Sequence, residues 1–251
     1  MPPGVQAHWW RGEAVMQPDE MELARSQKGF MPDSEGEALH EAGLLAARSG
    51  LGPLLEIGTY CAKSALYLGF AARRHSAVLY SVDHHRGSEE NQSGWEHHDP
   101  GLVDPATGRM DTLPEARRAV ESAGLEGTVV LMVGESARIA SAWATPLSLL
   151  FIDGGHGEAV AWADYRGWSR HVAGGALMAI HDVFPDPGDG GRPPYEIFCH
   201  AVQSGLWSTR DELSKGSLRV LERNGVPGGP SEKGSALGSS SLRASAGTCQ
   251  S

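Results

Sequence analysis

Long apolar runs are missing from this sequence. Nowhere does the chain approach the ~20 consecutive apolar residues that cross a bilayer, so no membrane partner is expected. Residues 1–12 have no continuous apolar stretch behind a basic start, which argues against a secretory signal. Cysteine is scarce. Cys61, Cys199 and Cys249 are odd in number and show no CxxC spacing, so neither a disulfide framework nor a thiolate zinc site is implied. A reducing cytoplasm is the compartment this composition suggests. Positive charge is in deficit, with 21 Lys and Arg against 31 Asp and Glu and a formal net charge of −10. Such a surface repels phosphate backbones, so no nucleic-acid partner is expected, and a small neutral or cationic ligand fits better.

What is present is enough for one α/β domain: 251 residues, 40% of them hydrophobic. The first fifty residues read as an N-terminal helical segment, with Pro18-Asp19 and Asp33-Ser34 as starts and Gly50 as a stop. From 51 to 224 the pattern alternates. Strands are predicted at 53–57, 77–82, 129–133, 147–152 and 176–180, then a closing pair near 208–213 and 218–222. Helices are predicted at 64–74, 113–123, 136–143, 158–171 and 194–205. Alternation of this kind implies right-handed βαβ units. The expected fold is a Rossmann-like, doubly wound, mostly parallel seven-stranded sheet, with one antiparallel strand near the C-terminus. Residues 225–251, rich in Gly and Ser and nearly free of large apolar side chains, read as a disordered tail.

Open α/β sheets bind ligands past the carboxyl ends of their strands. Here those ends read EIGTYCAKS (56–64), Asp83, GES (134–136), DGGH (153–156) and HD (181–182). Gly58 allows a close backbone approach. Asp83 can accept hydrogen bonds from both hydroxyls of a ribose. Ser136 opens a helix and can meet an adenine edge. A nicotinamide-dependent dehydrogenase is the alternative, but its fingerprint needs GxGxxG after the first strand, where this chain has GTYCAKS.

As a set, LLEIGTYCAKS, SVD, VGES and LLFIDGGH resemble, in the right order, the motifs of class I S-adenosylmethionine-dependent O-methyltransferases. The catechol-type and macrolide-sugar enzymes are the most similar, and the resemblance covers about residues 30–185. It implies an enzyme with S-adenosylmethionine as cofactor. Gly58, Thr59, Tyr60 and Ser64 would surround its methionine part, Asp83 would hold the ribose, and Glu135 and Ser136 would lie by the adenine, with Asp153 also facing the cofactor. Ala62 departs from the pattern, which usually has glycine there.

The same resemblance implies a divalent metal, Mg²⁺ or a similar ion, on Asp153 and Asp182, with His181 standing where many relatives carry a further acidic ligand. Hard oxygen ligands suit Mg²⁺. His156, three residues past Asp153, has a side chain suited to a general base, and a structural histidine capping the next helix is the alternative. The long polar segment 84–111 is expected to be a lid or disordered. Its paired histidines at 84–85 and 97–98 match no zinc spacing, whereas Glu89, Glu90, Asn91, Gln92 and Trp95 suit a carbohydrate. Together with IDGGH and IHDV, this loop resembles actinobacterial sugar O-methyltransferases, including the type that methylates the 1-hydroxyl of short mannosides in methylmannose polysaccharide synthesis. The implied substrate is a small molecule or oligosaccharide. Macrolide, aminoglycoside and small-phenol acceptors are alternatives, and a homodimer is compatible with the domain.

Overall fold

The computed structural model describes residues 16–88, 98–155, 157–186 and 188–225. The expected tail beyond 225, the absence of a signal at 1–12, His156, and the loop residues Glu89, Glu90, Asn91, Gln92, Trp95 and His97 therefore lie outside the described residues. Two helices open the described chain, α1 (Pro18–Ser26) and α2 (Asp33–Ser49). There follow β1 (Leu54–Ile57), α3 (Lys63–Arg74), β2 (Leu79–Asp83), β3 (Val103–Asp104), β4 (Arg109–Met110), α4 (Leu113–Ser122) and β5 (Val129–Val133). The remainder is α5 (Ser136–Ala142), β6 (Leu147–Ile152), α6 (Glu158–Trp168), β7 (Val172–Ile180), α7 (Arg192–Gln203), β8 (Trp207–Thr209) and β9 (Arg219–Arg223).

Among the described residues, seven strands form one sheet in the order β5-β2-β1-β6-β7-β9-β8. The pairs from β5 through β7 are parallel, and β9 runs antiparallel to both β7 and β8, so β9 is the reversed strand. This is the expected Rossmann-like sheet. All residues of β1 and β6 are buried, as central strands covered on both faces require, and their sequences are accordingly almost unbroken apolar runs. Alternate side chains divide between two cores. Leu54, Leu149 and Phe151 join Leu39, Tyr67 and Phe70 beneath α2 and α3. Leu55, Leu150 and Ile152 join Trp168, Ile180 and Ile197 beneath α6 and α7.

Several boundaries differ from the sequence expectation. The stretch 208–213 is strand only to Thr209, and Leu213 is a buried residue in a 3₁₀ turn, an apolar anchor that reads like strand. β7 begins at Val172, with a register irregularity before Leu177 that lets two glycines interrupt it. Part of the polar segment 84–111 is ordered: β3 and β4 form a small antiparallel hairpin, and Leu102 and Met110 pack on Cys61. No helix among the described residues is long and apolar enough to cross a membrane.

The winding reverses at β1, whose neighbours are β2 on one side and β6 on the other. The crevice beyond the carboxyl ends of β1 and β6 is where such sheets bind ligands.

Candidate functional site

The loop after β1 is wound tightly. Gly58 has φ +95, and a Cβ there would strike the backbone oxygen of Asp153, so only glycine lets the ends of β1 and β6 approach this closely. Tyr60 (φ 46) and Ala62 (φ 75) are also left-handed, and Ala62 forms the N-cap of α3. A non-glycine residue costs roughly 1–2 kcal/mol in that conformation. The loop's expected glycine position is thus held by a strained, fully buried alanine.

Asp83 closes β2 and locks this loop. Its Oδ2 accepts from the Tyr60 N–H at 2.8 Å and its Oδ1 from the His85 N–H at 2.7 Å. Each oxygen keeps a further lone pair for a ligand in the cleft. Beneath the loop runs a buried polar chain. Thr59 Oγ1 lies 2.5 Å from Ser81 Oγ, which donates to Glu56 Oε1 at 2.5 Å. Burial pushes Glu56 up to about 8, against hydrogen bonds from Ser81 and Ser64, so the acid is held neutral at pH 7. The Thr59 and Ser64 hydroxyls are thereby engaged below the cleft.

At the head of α5 the Ser136 hydroxyl accepts from Trp168 Nε1 at 2.8 Å and partners Asp164, which burial pushes up to about 6. Glu135 is exposed and pairs with Arg138 at 3.1 Å.

At the other end of the crevice, Asp153, His181 and Asp182 bring one ligand atom each within 4.8 Å of one another. His181 Nδ1 is 3.1 Å from Asp153 Oδ1 and 3.3 Å from Asp182 Oδ2, at ion-pair distance from both, and this buried nitrogen makes no hydrogen bond to the protein. Asp182 sits in the left-handed region (φ 55), the kind of strain that clusters at functional sites. Burial opposes charge on His181, but Asp153, Asp182 and Glu35 outweigh it and push the imidazole up to about 12. An orphaned nitrogen converging with two carboxylates fits a divalent cation, and its chemistry shifts the preference: an imidazole suits Zn²⁺ or Fe²⁺, whereas carboxylates alone suit Mg²⁺.

One cleft of about 1340 Å³ runs along these strand ends. It brings together Gly58, Thr59, Tyr60, Ser64, Asp83, Glu135, Ser136, Asp153, His181 and Asp182, and Lys28, Phe30 and Phe184 also line it. Phe30, 59% exposed, lies with its ring centroid 5.3 Å from that of Tyr60. Sequence reasoning missed three acids. Glu35 is a buried partner of His181; Glu56 was signalled by an acid inside an apolar strand; Asp164 lies in mid-helix without a local signal.

The sequence profile of a family described as "Methyltransferase domain" matches residues 55–183, slightly more than half of the chain. The chain belongs to this methyltransferase family. Solved structures agree in fold. S-adenosylhomocysteine-bound PaMTH1 methyltransferase from Podospora anserina superposes with a TM-score of 0.55 at 14% identity, over 85% of this chain and 88% of that one. The O-methyltransferase TomG from Streptomyces achromogenes, solved with S-adenosylmethionine and involved in tomaymycin synthesis, gives 0.53 at 16% identity, over 84% and 92%. A Bacillus cereus O-methyltransferase with bound S-adenosylhomocysteine gives 0.54 at 13% identity, over 86% and 96%. At these identities the likeness is one of fold. In this methyltransferase the matched segment runs from the second residue of β1 to just past β7 and so includes four of the strand ends that line the cleft as well as β5, whose end supplies Glu135 and Ser136.

Proposed function

We propose that this methyltransferase moves a methyl group from S-adenosylmethionine to an oxygen of a small molecule, with a sugar hydroxyl as acceptor. The observation that carries the cofactor is Asp83: a carboxylate fixed by two backbone N–H groups at the end of β2, facing the cleft, as recognition of a vicinal ribose diol requires. The cofactor supplies an activated methyl on a cationic sulfonium, and Asp83, Asp153 and Asp182 make the cleft electronegative. The Gly58 turn lets the chain lie close under the methionine part, while Ser136 and Glu135 stand at the adenine end. The motif resemblance and the S-adenosyl ligands of the structural neighbours support this reading over a nicotinamide dehydrogenase.

Asp153, Asp182 and the Nδ1 of His181 would hold a divalent ion, Mg²⁺ or one more tolerant of nitrogen. Bound there, such an ion would lower the pKa of the acceptor hydroxyl and orient it. His156 is assigned the base that removes the hydroxyl proton, since in the sequence it comes three residues after Asp153. A phenolic acceptor is the second reading, favoured by the exposed Phe30 beside Tyr60 at the cleft, an apolar platform that suits a planar ring. Methyl-transfer assays on short mannosides and on catechol separate the two. The sugar reading expects turnover on a mannoside, with His156→Ala losing about 10²-fold or more in kcat at unchanged cofactor affinity. Methylation of catechol but no sugar refutes the carbohydrate acceptor, and near-normal kcat in His156→Ala removes the base assignment.

A further inference from the structure

His181 is held from behind by a residue of α2, outside the strand ends. Its Nε2 lies 2.7 Å from Glu35 Oε2, and Glu35 is 5% exposed. The Glu35 carboxylate has no rotational freedom left. Its Oε1 accepts from the Ser217 N–H at 2.8 Å and its Oε2 from the Ser217 hydroxyl at 3.0 Å. Gly216 (φ 53) makes room for it, since a Cβ there would collide with Glu35 Oε1. A carboxylate in this setting accepts only, so the ring proton it faces sits on Nε2. With no cation bound, Nδ1 carries the second proton of the charged ring between Asp153 at 3.1 Å and Asp182 at 3.3 Å; a cation shared by these three groups would displace that proton and leave the one on Nε2 with Glu35.

We propose that Glu35 is the positioning residue of this site: it fixes the His181 ring and its tautomer so that Nδ1 is available to a divalent cation shared with Asp153 and Asp182. The inference rests on the metal reading above. Carboxylates behind a ligating histidine orient the ring and raise its basicity, and their loss weakens metal affinity by about 10–100-fold. Glu35→Gln tests this at constant volume. The Ser217 N–H can only donate, so the Gln carbonyl stays on it, and the amide NH₂ turns to His181 Nε2. Nε2 must then accept, and the ring proton moves to Nδ1, where it blocks the cation.

The experiment is Zn²⁺ titration by calorimetry, with ¹⁵N NMR of the imidazole nitrogens, on wild type, Asp153→Asn and Glu35→Gln, each with a melting curve. Wild type is expected to bind one Zn²⁺ at a site lost in Asp153→Asn and to keep the His181 proton on Nε2 when loaded. Glu35→Gln is expected to bind about 10–100-fold more weakly, with its ring proton on Nδ1. Unchanged affinity and tautomer in a folded Glu35→Gln overturn the inference and leave the metal reading standing. If wild type takes up no Zn²⁺ that Asp153→Asn abolishes, both readings are overturned, and the comparison of wild type with Asp153→Asn reveals that case independently of Glu35→Gln. Should Glu35→Gln not fold, Gly216→Ala displaces the same carboxylate without changing its chemistry, and it too is expected to weaken Zn²⁺; wild-type affinity there counts against the proposal.

Discussion

Gly58 and Gly50 are both left-handed, yet they answer to different constraints. Gly50 (φ 66) ends α2, and a Cβ added there would meet nothing within 4 Å, so Gly50→Ala is expected to cost only the left-handed penalty of roughly 1–2 kcal/mol. Gly58→Ala adds a collision with the backbone of Asp153 and is expected to cost more than Gly50→Ala in a denaturant melt, and to weaken cofactor binding as well. Equal losses at the two sites would mean that the β1 and β6 ends can part without harm. Gly58 and Asp83 were legible in the sequence because each ends an apolar run. Glu35 was not: its partner His181 is 146 positions away, and an acid in the first turn of a helix already has an ordinary explanation in the helix dipole.

Helix α2 matters at the scale of elements because it carries Glu35 to the sheet. Its close approach to α3 depends on Gly36, where a Cβ would run into the Tyr67 ring. Gly36→Ala is expected to lower stability by about 1–3 kcal/mol through overpacking and to loosen the Glu35–His181 contact, measured by chemical denaturation together with Zn²⁺ affinity. A neutral or stabilising effect would show that the α2–α3 interface has slack. The elements that could be read from sequence were those with strong apolar periodicity: β5 and β6 fall at their expected bounds, and α3 and α4 within a residue. The β3–β4 hairpin could not be read, since two-residue strands in a polar segment carry no periodic signal. The strand expected to reach 213 failed for the opposite reason, because Leu213 is apolar and buried without being in the sheet.

For the whole molecule, two buried acids beneath the cleft tie stability to pH. Burial raises Asp164 to about 6 and Glu56 to about 8, above their unfolded values of 3.8 and 4.5. The folded chain therefore keeps protons that the unfolded chain has released. Their contribution is fully present below about pH 4 and is lost as pH rises through 6 and then 8, at up to about 1.4 kcal/mol per pH unit for each such proton. Glu56→Gln removes one of these titrations, so the melting temperature of the variant should gain on that of wild type between pH 5 and pH 8; parallel curves would show that Glu56 does not titrate in this range. The charge, the cleft and the family all converge on one central claim, that Asp83 and the loop after β1 bind S-adenosylmethionine. Calorimetry with S-adenosylhomocysteine and with NAD, on wild type and Asp83→Ala, tests it most directly. Binding of S-adenosylhomocysteine alone is predicted, weakened in Asp83→Ala by the loss of two ribose hydrogen bonds at about 0.5–1.5 kcal/mol each, or more if charge-assisted. Tight NAD binding without any response to S-adenosylhomocysteine, or full affinity in Asp83→Ala, would contradict it.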